Sequence, residues 1–370
     1  LFLIYTVLIA SLVARPASQT AIDVLAAPLH FVLMRAKAAD RATIKDVATR
    51  AGVSLMTVSR VLNRTGYASD EARERVEAAA AALGYRPNVF ARALPGARSF
   101  LVATLIDDTA SAVTAELQRC MIEHCREAGY HLVVDSAPTN AGEDGLRAIA
   151  ARLAALRPDG VIVCPPLCDS PEILALLEQL GAPFVRFSPS RMGEGPRVGA
   201  DEIGAARAIT DHILAAGHRR VAFVGRDDGL SALRLEGFHS ALDAKGLAPA
   251  AITSTAGDFA AARLCVRSLL ETPRRPTALV AATDEIALAA LDAARDLGLT
   301  VPTDLSVVGF GDIAAASLSF PPLTTIRYSI TAMAAATIGF LINPPKTAYA
   351  PLGRTFGFEL VSRSTVAPPP

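Results

Sequence analysis

The chain has no tryptophan, and only 5% of its 370 residues are aromatic, so its apolar half is built mainly from alanine, valine and leucine. It has no net charge either, with 36 basic residues against 36 acidic ones, and the total alone gives no reason to expect a polyanionic partner. The five cysteines (Cys120, Cys125, Cys164, Cys168 and Cys265) are odd in number and lack the paired CxxC spacing of a ligand set. That excludes a zinc-ligand pattern and points to reduced thiols in a cytosolic protein, with no metal and no cofactor. Also missing are a GxSxG elbow, a GxxxxGK(S/T) phosphate loop, an HExxH helix and a GxGxxG turn after a strand, so no enzyme is expected. His212 and His218 flank a helix end in DHILAAGHRR, where capping and the helix dipole account for His218.

One long apolar run is present, LFLIYTVLIASLVA at the N-terminus. As a helix its roughly 14 residues would reach about 21 Å, short of a bilayer core. No basic residue precedes it, which makes it a poor secretory signal. Arg15, Pro16, Asp23 and Pro28 follow and prevent any extension of a span.

The charges are unevenly placed. From Met34 to Ser99 twelve basic residues face six acids, whereas from Phe100 onward 23 basic residues meet 29 acids. A basic N-terminal segment on an acidic body suits phosphate neutralisation by that segment, while the body disfavours non-specific wrapping. At 370 residues the chain is too long for one ordinary domain.

Within the basic segment, TIKDVATRAGVSLMTVSRVLN (Thr43 to Asn63) holds two short helical patterns separated by Gly52. Thr43 is placed to cap the first helix, with Asp46 completing a capping box, and Gly52 tolerates the left-handed turn that ends it. Ser54 would cap the second helix. There Val58, Val61 and Leu62 fall on one face and Leu55, Met56, Ser59 and Arg60 on another. This spacing predicts a helix-turn-helix with its second helix in the major groove, where the Arg60 guanidinium could bond guanine through two donors. Backbone amides at the helix starts, together with Thr43, Thr57 and Ser59, suit phosphates. From spacing alone a purely structural αα-corner is equally compatible.

AGVSLMTVSRVLN, followed by SDEARERVEAAAAALGYRPN, closely resembles the headpiece of the lactose-repressor (LacI-type) family of bacterial transcription regulators, and the resemblance runs from about Thr43 to Ala367. It implies a helix-turn-helix headpiece at 40–86, a hinge helix and linker at 87–99, and an effector-binding and dimerisation domain at 100–370. NVFARAL (Asn88 to Leu94) matches the hinge. There Leu94 takes the position of the side chain that wedges into the minor groove, Arg92 lies near phosphates, and Pro95 ends the helix. Asn63 and Asn88 complete the DNA-binding set. Family headpieces begin a few residues before the TIKDVA-like segment, so Met34 is the expected start and residues 1–33 a mis-called or unpacked extension.

Beyond residue 99, strand runs (LVATLI, HLVVDS, GVIVCP, PFVRF, RVGAD, RVAFVG, ITSTAG, ALVAAT and LSVVGF) alternate with amphipathic helices. The fold class expected is therefore an α-helical headpiece plus an α/β body of two doubly wound parallel-sheet subdomains, periplasmic-binding-protein-like. The halves fall at about 100–188 and 198–320, with a return near Pro321 to Arg327, and a ligand would sit in the cleft at the carboxyl ends of the strands.

By the same resemblance Arg234 matches the pocket arginine, Asp284 a hydroxyl-accepting aspartate, and Asp312 the second of a usual aspartate pair whose first position is Gly311. Phe259 matches a stacking aromatic. Ser111 and Val113 replace the usual amide and ring in DDTASAVTAE, and Thr283 stands where asparagine is common. Asp107 and Arg186 lie at strand ends facing the cleft, or else serve as structural ion pairs. The implied protein is a cytoplasmic, nucleoid-associated homodimer that binds double-stranded, pseudo-palindromic operator DNA, does not contact a membrane, and responds to a small carbohydrate effector, a sugar or sugar acid. The alternative is an exported or membrane-tethered solute-binding protein.

Overall fold

A computed structural model describes residues 42–63, 66–85, 98–107, 112–138, 142–191, 195–255, 258–343 and 353–370. Residues 1–33, Asn88, Arg92, Leu94 and Ser111 lie outside the described residues, as does the expected hinge helix. The chain divides into two compact units, Leu1–Gly96 and Ala97–Pro370.

The described residues of the first unit form three helices. α1 (Ile44–Ala51) starts at the expected capping box and stops at Gly52, whose φ of 65° is the left-handed conformation the turn requires. α2 (Leu55–Asn63) begins as Ser54 Oγ accepts a hydrogen bond from Thr57 N at 3.1 Å. α3 (Asp70–Ala82) is capped by Ser69, with Asp70 and Glu71 in the first turn where the dipole favours acids. Val47, Val58 and Val76, one from each helix, are fully buried and close the core together with Val61, Ala79 and Ala80.

The body alternates strand and helix: β1 (Leu101–Ile106), α4 (Ala112–Glu127), β2 (His131–Ser136), α5 (Gly142–Leu156), β3 (Gly160–Val163), α6 (Pro171–Gln179), β4 (Phe184–Phe187) and β5 (Arg197–Ala200). It continues through α7 (Glu202–Ala215), β6 (Val221–Arg226), α8 (Gly229–Asp243), β7 (Ala251–Thr255), α9 (Phe259–Leu270), β8 (Ala278–Ala281), α10 (Asp284–Asp296), β9 (Ser306–Phe310) and α11 (Ala314–Leu318). β10 (Thr324–Tyr328), α12 (Ile330–Ile342), β11 (Gly353–Phe356) and β12 (Phe358–Val361) complete it. Two six-stranded sheets result, ordered β11-β5-β4-β3-β1-β2 and β12-β10-β9-β8-β6-β7.

Among the described residues every strand pair is parallel except β10–β12. Successive strand residues serve opposite faces. Ile162 of β3 joins the layer containing α4, while Val161 and Val163 face Ile149 and Leu153 of α5. In β8, Ala278 and Val280 face the layer of α7 and α8, and Leu279 and Ala281 that of α9 and α10. Sheets covered on both faces explain the nearly continuous apolar runs.

Two boundaries differ from the sequence reading. β5 belongs to the first sheet, because the crossing comes after it, where Asp201 caps α7 of the second subdomain by accepting from Gly204 N at 2.9 Å. The segment near Pro321 to Arg327 is not a return. It forms β10 in the second sheet, and α12 carries the chain back, with Leu341 against Gly160 so closely that a Cβ there would lie 2.7 Å from Leu341 Cδ2. The chain then crosses once more, between β11 and β12.

His218 also differs. α7 ends before it, and its ring is wholly buried in the second subdomain. Nε2 lies 2.8 Å from the Ala367 carbonyl, which only accepts, so Nε2 carries the proton and Nδ1 accepts from Thr277 Oγ1 at 2.9 Å. The ring thus fastens the C-terminal segment to the sheet, and burial holds its pKa below the ordinary 6.5.

Candidate nucleic-acid interface and ligand cleft

The two faces of α2 are sharply different. Val58 and Val61 are buried, whereas Leu55 is 45% and Met56 64% exposed, with Arg60 exposed one turn further on. Such apolar side chains opening a short, capped helix leave a surface that a partner can cover. Ser59 is half-buried. The Thr57 and Ser54 hydroxyls share a hydrogen bond of 2.9 Å. Thr43 is committed to its cap, since its N–H and hydroxyl both donate to Asp46 Oδ2 at 2.7 Å. That places Asp46, whose pKa is lowered by these bonds from Thr43, at the start of α1. Asn63 closes α2.

In the second unit a cavity of about 160 Å³ opens between the subdomains at the carboxyl ends of β3, β4, β6, β8, β9 and β10. This is where α/β sheets present ligand sites. The first subdomain lines it with Val113, Thr114, Leu117, Cys164, Pro165, Pro166, Asp169, Phe187 and Ser188. The second supplies Glu202, Arg226, Asp228, Ser231, Arg234, Thr283, Glu285, Phe310 and Tyr328, and Ile330 and Met333 of α12 complete the wall. Burial pushes the Cys164 thiol up to about 12, so it stays protonated and is no nucleophile.

Arg234 dominates the floor. Its Nε donates to Glu202 Oε2 at 2.8 Å and its Nη1 to the Ala282 carbonyl at 2.5 Å. The same Glu202 oxygen accepts from Tyr328 Oη at 2.5 Å, and the guanidinium lies 4.9 Å from the Phe310 ring centroid. Burial works against the charge on Arg234, but Glu202 and Tyr328 outweigh it and hold the pKa above the usual arginine value. Burial raises the Tyr328 pKa well above 10, so the phenol remains a donor.

Of the sequence-derived effector residues, Val113 and Arg234 line the cavity. Arg186 stands behind it, 3% exposed, donating to the Cys168 carbonyl at 2.7 Å and to Asp169 Oδ1 at 2.8 Å. This is the structural ion-pair alternative, with Asp169 presented to the cavity instead. Asp284 is fully buried. Its Oδ2 accepts from Ile313 N at 2.9 Å and its Oδ1 from Thr325 Oγ1 at 2.6 Å, so it braces the loop after β9 while Thr283 meets the cavity. Asp312, at φ 50°, is consumed by Arg327 and Arg363 at 2.6 and 2.5 Å. Phe259, at the start of α9, is 49% exposed, and neither it nor Asp107 is among the described lining residues.

Sequence reasoning missed Glu202, Arg226, Asp228, Glu285 and Tyr328. Two carried a readable signal. Asp228 follows a strand and caps α8 by accepting from Ser231 N at 2.7 Å, and Glu202 lies in the first turn of a helix after a strand.

Residues 43–88 match the family described as "Bacterial regulatory proteins, lacI family", and residues 210–366 match a periplasmic binding protein-like domain. The chain is 30% identical over 331 residues to the lactose operon repressor of Escherichia coli K12, covering 88% of this chain and 91% of that repressor. It is also 30% identical over 308 residues to the ribose operon repressor of the same organism, covering 82% and 92%. The solved lac repressor dimer bound to operator and the anti-inducer ONPF superposes with a TM-score of 0.77 at 28% identity, over 88% of this chain and 99% of that one. Among the described residues no helix is long and apolar enough to cross a membrane. With its helix-turn-helix, its paired α/β sheets and relatives that match along nearly their whole length, the chain belongs to the lacI family of bacterial regulatory proteins.

Proposed function

We propose that the chain is a cytoplasmic, nucleoid-associated repressor that binds a pseudo-palindromic operator as a homodimer and releases or tightens its hold when a small carbohydrate-type metabolite occupies the cleft. The observation that carries this reading is the pairing, in one chain, of an exposed α2 face bearing Leu55, Met56 and Arg60 with a ligand-sized cavity between two sheets. Arg60 reads a base edge, Leu55 and Met56 meet thymine methyls, and the N-terminal amides of α2 with Ser59 and Thr57 hold phosphates. Asn63, Asn88 and Arg92 add backbone contacts, and Leu94 wedges into the minor groove. In the cleft, Arg234, Glu202, Asp228, Ser231, Thr283 and Tyr328 supply the polar contacts, and Val113, Leu117 and Phe187 the apolar walls. No catalytic role is assigned to any of them, in keeping with relatives that are regulators.

Support for the dimer comes from the end of α11 and the loop after it. Leu318 is 82% and Phe320 98% exposed, a degree of apolar exposure suited to a second copy.

The test is fluorescence anisotropy of the purified chain on inverted repeats from its own upstream region against scrambled duplexes of the same length. Selective binding that weakens steeply with salt supports the reading. Equal affinity for repeat and scramble removes it.

A further inference from the structure

Three arginines reach the cleft or stand behind it, and each already has a carboxylate. Arg234 is held by Glu202 at 2.8 Å, Arg226 Nε lies 3.2 Å from Asp228 Oδ2, and Arg186 is bound to Asp169 at 2.8 Å. The fourth lining carboxylate, Glu285, faces no such cation among the described residues: its Oε1 accepts from the backbone N of Ala112 at 3.0 Å. The formal charge of the described lining is therefore balanced pair by pair, with one negative charge left over.

A ligand carboxylate or phosphate entering this space would lose its water and find, among the described residues, no guanidinium without a carboxylate of its own. It would also lie near Glu285, where like charges about 5 Å apart at an effective dielectric near 20 weaken binding on the order of a hundredfold. Hydroxyl groups are suited to the same surroundings, since they donate to the carboxylates and to the Tyr328 oxygen, whose own proton is on Glu202, and accept from Ser231 and Thr283. The apolar walls of Leu117, Phe187 and Phe310 fit the C–H faces of a ring. At about 160 Å³ the space is comparable to an engineered cavity of about 150 Å³ that admits benzene, which sets the scale at one ring.

We infer that the cleft selects an uncharged, hydroxyl-bearing effector with a single ring and rejects the corresponding acid or phosphate. This deepens the reading of the cleft as the effector site and rests on it. Glu202 and Asp228 are then specificity residues, because they neutralise arginines that would otherwise capture an anion.

The experiment is thermal melting of the full chain at constant ionic strength with D-glucose, D-galactose and D-ribose, with D-glucuronate, D-galacturonate and D-ribose 5-phosphate, and with inorganic phosphate. No anion should saturably raise the Tm of the parent chain. Glu202→Gln removes the charge opposing Arg234, and this variant should gain saturable stabilisation by at least one of the anions. Asp228→Asn releases Arg226 while keeping a residue that caps α8, and it serves if Glu202→Gln fails to fold. A parent chain that a uronate or sugar phosphate stabilises more than the free sugar overturns the inference. So does a folded variant that gains no anion binding. DNA plays no part in this readout, so a chain whose operator binding ignores every compound would fail the regulatory reading and leave the charge rule standing.

Discussion

Glu285, in the first turn of α10 in the second subdomain, accepts a hydrogen bond of 3.0 Å from the backbone N of Ala112, the first residue of α4 in the first subdomain. A carboxylate from one side of the cleft thus serves the positive end of a helix on the other. Beside it Val113 abuts Gly311, where a Cβ would lie 2.8 Å from Val113 Cγ2. Glu285→Ala should speed amide exchange at the start of α4 and enlarge the radius of gyration of the body, whereas Glu285→Gln, which keeps a carbonyl acceptor, should do neither. Identical exchange in all three proteins would show that the contact does not hold the cleft.

Asp284 and His218 give pH dependences of opposite sign. Burial raises the Asp284 pKa from 3.8 to about 6, so the folded state binds more protons than the unfolded chain between those values and stability falls as pH rises through that window. The full shift corresponds to about 3 kcal/mol. Asp284→Asn can still accept from Ile313 N and can donate to Thr325, and urea denaturation at pH 7.5 should show it more stable than the parent. A less stable variant would mean that the ionised carboxylate is favoured where it lies.

For His218 the folded pKa lies below 6.5, so the unfolded chain binds the extra proton and stability is fully present above 6.5 and lost as pH falls below it. Melting from pH 8 to 5 should show this acid limb, and His218→Ala, less stable throughout, should lack the component. An unchanged limb would assign it to other groups.

Arg60→Ala should leave folding intact, because the side chain is exposed, and relax discrimination at one operator base pair by about 1 to 3 kcal/mol. Competition against single-base operator variants checks this. A variant that discriminates as the parent does removes Arg60 from base reading.

Phe320→Asp should shift the chain toward monomer in sedimentation velocity and weaken operator binding with it, since the exposed ring is the surface assigned to the second copy. A dimer of unchanged stability would place the interface elsewhere.

The headpiece and the nine strand runs were legible because their signals are local: a capping box at Thr43 and Asp46, a left-handed Gly52, and apolar runs bounded by turns. The three last strands were not, and β10 follows closely on Pro321 and Pro322, whose signal is that of a turn. β11 and β12 are four residues each, too short to carry a period, and defined by partners far away in the chain. Family correspondence brought Arg234 and Val113 to the cavity, but it could not show that Asp312 is consumed by Arg327 and Arg363, because Arg363 arrives from 51 residues further along. Glu202 escaped for the same reason. Its role is set by Arg234, 32 residues on, and Tyr328, 126 residues on.

The most direct test of the central claim, that cleft occupancy controls DNA binding, is operator affinity of the full chain measured by anisotropy with and without each sugar of a neutral panel. The account predicts that one compound shifts operator affinity by about 5- to 150-fold, and that operator shifts the affinity for that compound by the same factor. A compound shown to bind the cleft that leaves operator affinity unchanged would contradict it.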